Sequence, residues 1–482
     1  MSVKKRVKAI DRFIAGCKTD GIYDDLNAAC IMAGWDGLAG ALTPLKGTAP
    51  TNSGFLDTDY DRGGIGIAGD GSSYLNSNRD NNADGPNDQH LAVFATSPSS
   101  DGKVLAGRGL FTDATTIYRI GTYAYFRNRS GSSGARAGAG TSSGFYGSSR
   151  NDSSQFYVRA AESTGAAAIA STGVIGGDIY IFTSNGYAPG SVNTDATLAF
   201  YSIGSSLGSD PATGLAALDA RVSTLMADLR AIEETGFDRD AIAYIRAVEE
   251  ADGAYLETDV KIAVNNLVSG LKADDLWDAI GSSCLLCGPR TLAGALVPLR
   301  GDAPTPYGFV SGDHSRTDGL RDPEGTSYLD SGFNVSDEYL NDVHISAYST
   351  LDPGGAYKSV MGAYSGTTPT SLHMSLKTTV LVANVNNTTT ASGADTDGIG
   401  FIGASREDAV NANTRAGGTN NTLAGASTGV SGLNIFVFAR NNNGSAPTSD
   451  MRLAFYSAGT FLDLAKLDSH VSAYVSAIGA AI

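Results

Sequence analysis

Three aspartates alternate in the stretch Asp57-Thr58-Asp59-Tyr60-Asp61. That spacing offers three carboxylates to one hard cation such as Ca²⁺. Two observations weigh against a metal. Arg62 stands where an EF-hand loop requires Gly, and a related stretch later in the chain reads Ser311, Asp313 and Ser315, keeping only the Asp59 position. The expectation is therefore solvated loop carboxylates, with Ca²⁺ at Asp57, Asp59 and Asp61 left open. Asp395 and Asp397 make a weaker pair of the same kind.

Other chemistry is thinly supplied. There are five histidines, His90, His314, His344, His373 and His470. His90 and His344 open two strand-like runs that match each other, so each is expected to be a hydrogen-bonded residue at a strand edge. The GxSxG strings that begin at Gly140, Gly204 and Gly425 stand in Gly- and Ser-rich sequence without a βαβ pattern, so no nucleophile elbow is expected to anchor Ser-His-Asp catalysis. A glycosidase needs two acids facing each other across a cleft. Glu233 and Glu234 are adjacent in a helical stretch instead. The Gly-rich run Gly131 to Gly140 lacks the GKS or GKT ending of a phosphate cradle and reads as a loop. Cys284 and Cys287 form a lone CxxC, while Cys17 and Cys30 stand apart. A zinc site needs further ligands at suitable spacing, so buried structural thiols are expected. Tyr118, Tyr123, Tyr125 and Phe126 have strand spacing. Tyrosines can stack on sugars, but core packing is expected for at least half of the four. No catalytic, cofactor or metal residue is assigned.

The elements that would position these groups occur twice. Ile10 to Leu26 aligns without a gap on Val264 to Ile280, 254 residues later, with Ile10 on Val264, Phe13 on Leu267 and Ile14 on Val268. Apolar residues spaced by three and four put one face of a helix in the core. Thr19-Asp20-Gly21 reads as a helix stop, with Asp20 placed to cap a second short helix through Leu26. Each copy leads into Gly-, Ser- and Asn-rich sequence with short β-branched and aromatic runs, the pattern of a sandwich or jelly roll. The repeats agree in detail: Ala39 to Gly47 matches Ala293 to Gly301, Gly144 to Arg150 matches Gly400 to Arg406, and Leu198 to Gly204 matches Leu453 to Gly459. A closing helix follows each β-rich part.

The expected division is a helical module at 1–33, a first sandwich at 34–206 and a helical linker at 207–283 that contains the second helical module. A second sandwich at 284–460 and a C-terminal helix at 461–482 complete it. In the linker, Leu215, Leu218, Val222, Leu225, Leu229 and Ile232 keep the alternating spacing of a coiled-coil seam. Packing on a sandwich is the simpler use. The seam is also the first candidate for contact between copies of the chain.

Charge narrows the partners. The 482 residues carry a formal charge of −16, which argues against nucleic acid. No stretch is apolar enough to span a membrane. Lys4, Lys5, Arg6 and Lys8 before Ile14-Ala15-Gly16-Cys17 imitate a lipoprotein signal, but Asp11 and Arg12 interrupt its apolar core. Assembly in a cytoplasm is expected.

Val264 to Ile280, Ala293 to Gly301, Glu324 to Ser331 and Ile435 to Gly459 together resemble phage virion proteins with concanavalin A-like (laminin G-like) domains, of the tail fibre or minor structural type. The resemblance covers nearly the whole chain, and the first copy departs from it at Ile179 to Ser191. It implies a mainly β fold with helical modules: two duplicated concanavalin A-like jelly-roll sandwiches joined by a helical linker. It implies a non-enzymatic virion component, exposed as a fibre, spike or capsid decoration. Its expected partners are other virion proteins, further copies of itself (a trimer among the forms) and host surface glycans. It supplies no site residue. A free-standing carbohydrate-binding lectin or adhesin is the alternative, and a polysaccharide hydrolase ranks below both.

Overall fold

The computed structural model describes the chain except residues 1–2, 62–64, 110, 189, 353–356, 367–370, 378–379, 388–390 and 396–397. Asp397 and Arg62 lie outside the described residues, and Asp395 ends a strand. Two compact units emerge. The first comprises 1–236 with 253–258, and the second 237–252 with 259–482. The stretch 207–283 is therefore shared between the two units.

In the first unit, helix α1 (Val3–Thr19) leads into the strand Leu26–Ile31. Its apolar stripe of Ala9, Phe13 and Cys17 is buried. No second helix follows it; residues 20–25 form turns. Asp20 does not cap a helix but takes two hydrogen bonds from Arg221, at 2.7 and 2.9 Å. A single helical turn, α2 (Leu38–Ala41), comes next. After the strands, α3 (Pro211–Glu233) begins with Asp210 as N-cap and Pro211 in its first turn.

The strands make two antiparallel sheets. One runs in the order Ser163–Ala167, Phe156–Ala160, Gly144–Arg150, Gln89–Ala95, Thr197–Gly204, Leu26–Ile31, Pro44–Lys46. The other runs Gly134–Ala137, Tyr123–Ser130, Ala114–Ile120, Val104–Arg108, Asp178–Ile181, Tyr74–Asp80, Thr51–Ser53. Leu91, Val93, Phe126, Ile181 and Tyr201 fill the space between the sheets. Phe94, Phe145 and Phe200 point the other way, into a second core with Phe13, Leu218 and Val222 of the helices. The unit has three layers: helices, sheet, sheet. This explains why Thr197–Gly204 is apolar on both faces and buried throughout.

The seam from Leu215 to Leu229 is consumed in that second core, and Ile232 packs at its margin. It covers the unit's own sheet, so it is not a surface for contact between copies. An amphipathic helix beside a sheet buries its stripe where the nearest apolar surface lies.

The second unit repeats the plan. Its helices are α4 (Arg239–Asp252), α5 (Thr258–Ala273), the single turn α6 (Leu292–Ala295) and α7 (Leu464–Ala481). Its two sheets have the same strand order as those of the first unit. The fold is mainly β: two duplicated jelly-roll sandwiches with helical modules. Among the described residues no helix is long and apolar enough to cross a membrane.

Candidate functional site

The three alternating aspartates do not converge. Asp57 Oδ1 accepts from Leu38 N–H at 3.2 Å, at the start of α2. Asp59 Oδ2 accepts from Leu56 N–H at 2.7 Å, closing its own turn. Asp61 accepts from both the N–H and the hydroxyl of Thr258, at 2.9 and 2.6 Å. Only the turn closure recurs, as Asp313 Oδ2 with Val310 N–H at 2.8 Å. That is why Asp59 alone is kept in the second copy. Among the described residues no group of three or more His, Cys, Asp or Glu side chains is placed to hold a metal.

His90 and His344 sit on central strands, not at edges, because each strand is paired on both sides. His90 Nδ1 lies 2.6 Å from Ser205 O and Nε2 lies 3.1 Å from Ser202 Oγ. A carbonyl oxygen only accepts, so Nδ1 carries the proton and Nε2 accepts from the serine hydroxyl. His344 repeats this with Thr460 O at 2.5 Å and Ser457 Oγ at 3.0 Å. Burial pushes both imidazoles down to about 4. They are neutral structural ties.

All four cysteines are buried and unbridged. Burial raises Cys17, Cys284 and Cys287 to about 12 and Cys30 to about 11, which removes thiolate chemistry near neutrality. Arg150 and Arg406, which end the matched strands Gly144–Arg150 and Gly400–Arg406, are fully buried. The Arg150 guanidinium donates to the carbonyls of Asn128, Asp152, Gln155 and Ile169 at 2.8–3.0 Å. Arg406 donates to those of Val385, Asp408 and Gly425 at 2.7–3.1 Å. Both hold loops to the sheet.

What remains is a surface. Helices cover the first sheet of the first unit, but the outer face of the second carries rings. Ile117, Ala124 and Phe126 point into the core. The alternation of a strand then turns Tyr118, Tyr123, Tyr125 and Arg127 outward. Tyr118 and Tyr125 are direct cross-strand partners. They stack with centroids 5.3 Å apart and planes 17° apart. Tyr123 adds to Tyr125 at 6.0 Å. On the other side, the Arg127 guanidinium lies 5.1 Å from the Tyr118 ring and 5.9 Å from that of Phe111. Phe111, Arg127, Tyr118, Tyr125 and Tyr123 thus form one continuous ridge. Phe111 and Tyr123 are exposed, and Tyr118 donates to Ser133 Oγ at 3.1 Å. Of the four aromatics singled out from the sequence, only Phe126 is a core residue. Strand parity across the turn at Gly121-Thr122 carried the signal for Arg127, which spacing alone did not flag.

The same sheet of the second unit is built differently. A ladder of Tyr307, Tyr328 and Phe436 stacks at 4.6 Å between neighbours, matching Tyr74 and Tyr180 of the first unit at 4.8 Å. At the places of Tyr118 and Tyr125 stand the cross-strand partners Ser375 and Val382, both buried. The scaffold is duplicated while the outer faces have diverged.

No protein-family model matches the chain, and no curated protein matches it. Solved structures with some likeness include the mouse laminin alpha1 chain, domains LG4-5, at 7% identity over 78% of this chain and 84% of that one, with a TM-score of 0.22. The Ruminococcus gnavus IT-sialidase CBM40 aligns at 13% identity over 28% of this chain and 84% of its own, TM-score 0.22. A botulinum neurotoxin serotype D binding domain aligns at 8% identity over 42% and 52%, TM-score 0.31. Likenesses at this level carry no argument about ligand, and the site reading rests on the chain's own geometry.

Proposed function

We propose that the chain is a non-enzymatic binding and structural component that holds host surface glycans on the aromatic ridge of its first unit. One observation supports this reading: the unbroken stack Phe111, Arg127, Tyr118, Tyr125, Tyr123 on an outer sheet face. A pyranose ring has an apolar C–H face that packs on an aromatic ring, while its hydroxyls need donors and acceptors at the rim. The exposed rings at the two ends of the ridge, Phe111 and Tyr123, offer that face, and the hydroxyls of Tyr123 and Tyr125 supply the rim. Such contacts are weak singly and gain strength from multiplicity.

We place the protein on a phage particle, as a fibre, spike or capsid decoration assembled in the host cytoplasm. This setting rests on the sequence resemblance alone. The ridge would serve a free-standing lectin equally well, and electron microscopy of labelled particles separates the two. The binding claim is tested by a glycan array probed with the full chain. Saccharide binding that disappears in the Tyr118→Ala/Tyr125→Ala double variant is expected. Absence of binding to every saccharide, or release of reducing ends from host polysaccharide, would overturn the reading.

A further inference from the structure

The duplication supplies an internal comparison for the helical surfaces. In the second unit α4 lies along α5 in the opposite direction. At one end the Glu249 carboxylate meets the Lys261 ammonium at 3.4 Å. At the other, Asp238 N–H donates to Asn265 Oδ1 at 2.7 Å. There Lys272 Nζ also donates to Asp238 and Asp240 at 2.7 and 2.5 Å. Between these ends Ala241, Ile245 and Val248 of α4 and Val264 and Val268 of α5 are buried.

In the first unit the corresponding stripe of α1 is open. Val7, the counterpart of Lys261, is 49% exposed, whereas Lys261 is 3% exposed. Ile10 and Ile14, the counterparts of Val264 and Val268, are only half-buried, and Asp11 and Lys18, the counterparts of Asn265 and Lys272, are exposed. The opposite side of α1 is held by α3 through Arg12 with Asp228 at 2.6 Å and Arg221 with Asp20 at 2.7 Å. The open stripe therefore runs Val7, Ile10, Ile14, Lys18, the three-and-four spacing of a helix-packing face.

Charge indicates what fits there. Helix α1 carries Lys4, Lys5, Arg6, Lys8, Arg12 and Lys18 against the single acid Asp11, in a chain of net charge −16. Lys18 and Lys46 lie over the Tyr23 ring at 5.0 and 4.5 Å, as Lys272 and Arg300 lie over Trp277 at 5.3 and 5.0 Å. In the second unit the cation at this position is met by the two aspartates at the start of α4.

We infer that the Val7–Ile10–Ile14–Lys18 stripe is a docking surface for an acidic amphipathic helix of a second polypeptide, laid antiparallel to α1 as α4 is laid on α5. The partner helix carries an aliphatic stripe, with carboxylates at its N-terminal end facing Lys18. Where α4 sets Glu249 against Lys261, the partner sets an aliphatic residue against Val7. The driving terms are burial of the half-covered isoleucines and charge complementarity, which also fixes the direction.

The test uses a labelled peptide spanning residues 237–254 with Glu249→Leu, titrated with the full chain by fluorescence anisotropy. Saturable one-to-one binding is expected, weakened about fivefold by Lys18→Glu and about tenfold by Val7→Asp. Both variants change exposed side chains, and an unchanged urea midpoint confirms that they fold. A peptide that also carries Asp238→Lys and Asp240→Lys is expected to bind at least about fivefold more weakly. A basic amphipathic helix also suits an anionic bilayer, so vesicles of three parts phosphatidylcholine to one part phosphatidylglycerol are the competing probe. Four results would overturn the inference: no saturable peptide binding, peptide binding indifferent to Val7→Asp, vesicle binding that Val7→Asp abolishes, or self-association of the chain that the same variant abolishes.

Discussion

Arg159 Nε donates to Asp219 Oδ2 at 2.6 Å, joining a strand of the helix-covered sheet to α3. The contact recurs in the second unit as Arg415 with Asp468 at 2.7 Å, joining the equivalent strand to α7. Each aspartate also accepts from a serine one turn on, Ser223 at 3.0 Å and Ser472 at 2.7 Å. The pair fixes the rotation of the closing helix against its sheet, which an apolar stripe alone would leave free to slip.

Both members of that pair are largely buried, with side-chain exposures of 15% and 8%. A double-mutant cycle of Arg159→Ala and Asp219→Ala should give a coupling of about 1–2 kcal/mol in urea unfolding. The cycle on Arg12 and Asp228, where Arg12 is 62% exposed, should give about 0.5 kcal/mol or less. Equal couplings would show that the buried pair has no special hold.

The buried arginines make a sharper demand. Arg150→Met should cost about 3–5 kcal/mol, because one strand carbonyl (Asn128) and three loop carbonyls lose their donor. Arg150→Lys should recover less than half of that, since one ammonium cannot span carbonyls set around a planar fork. Denaturant midpoints of the two variants test the order.

Acid should loosen the second unit before the first. His344 and His373 in the second unit, and His90 in the first, are held down to about 4 by burial, against 6.5 for a free imidazole. The unfolded chain therefore binds the proton first as pH falls. The stability from each neutral histidine is complete above pH 6.5 and is lost between 6.5 and 4. Carboxylates held low, such as Asp70 at about 2, act only below the ordinary carboxylate range and leave this window unchanged. From pH 7.5 to 5 the loss is about 2 kcal/mol per histidine. Hydrogen exchange, corrected for intrinsic rates, should show Val343–Ser349 and Ser371–Lys377 losing more protection than Gln89–Ala95. Equal losses would contradict the assignment.

Much of the architecture was legible in the chain. The offset of 254 residues between Ile10 and Val264 and the matched strings around Gly144 and Gly400 mark the duplication, and short β-branched and aromatic runs mark the strands. The helices that close each unit followed from apolar spacing. What escaped was partnership at a distance. Asp57, Asp59 and Asp61 look like one site because they are neighbours in sequence, yet each answers a different backbone group. The Leu215 to Ile232 seam looked able to join copies because sequence does not reveal that a sheet already faces it. The ridge was half legible: Tyr118, Tyr123 and Tyr125 stood out, but their outward direction depends on strand parity set by Phe126 in the core, and Phe111 arrives from a loop.

The central claim is that the ridge of the first unit holds saccharide. The most direct measurement is calorimetric titration of the full chain with the saccharide selected on the array, repeated on Tyr125→Ala and on Val382→Ala, its counterpart in the second unit. Weakening of about tenfold or more is expected for Tyr125→Ala, and unchanged affinity for Val382→Ala. Equal affinity for Tyr125→Ala and the unaltered chain would contradict it.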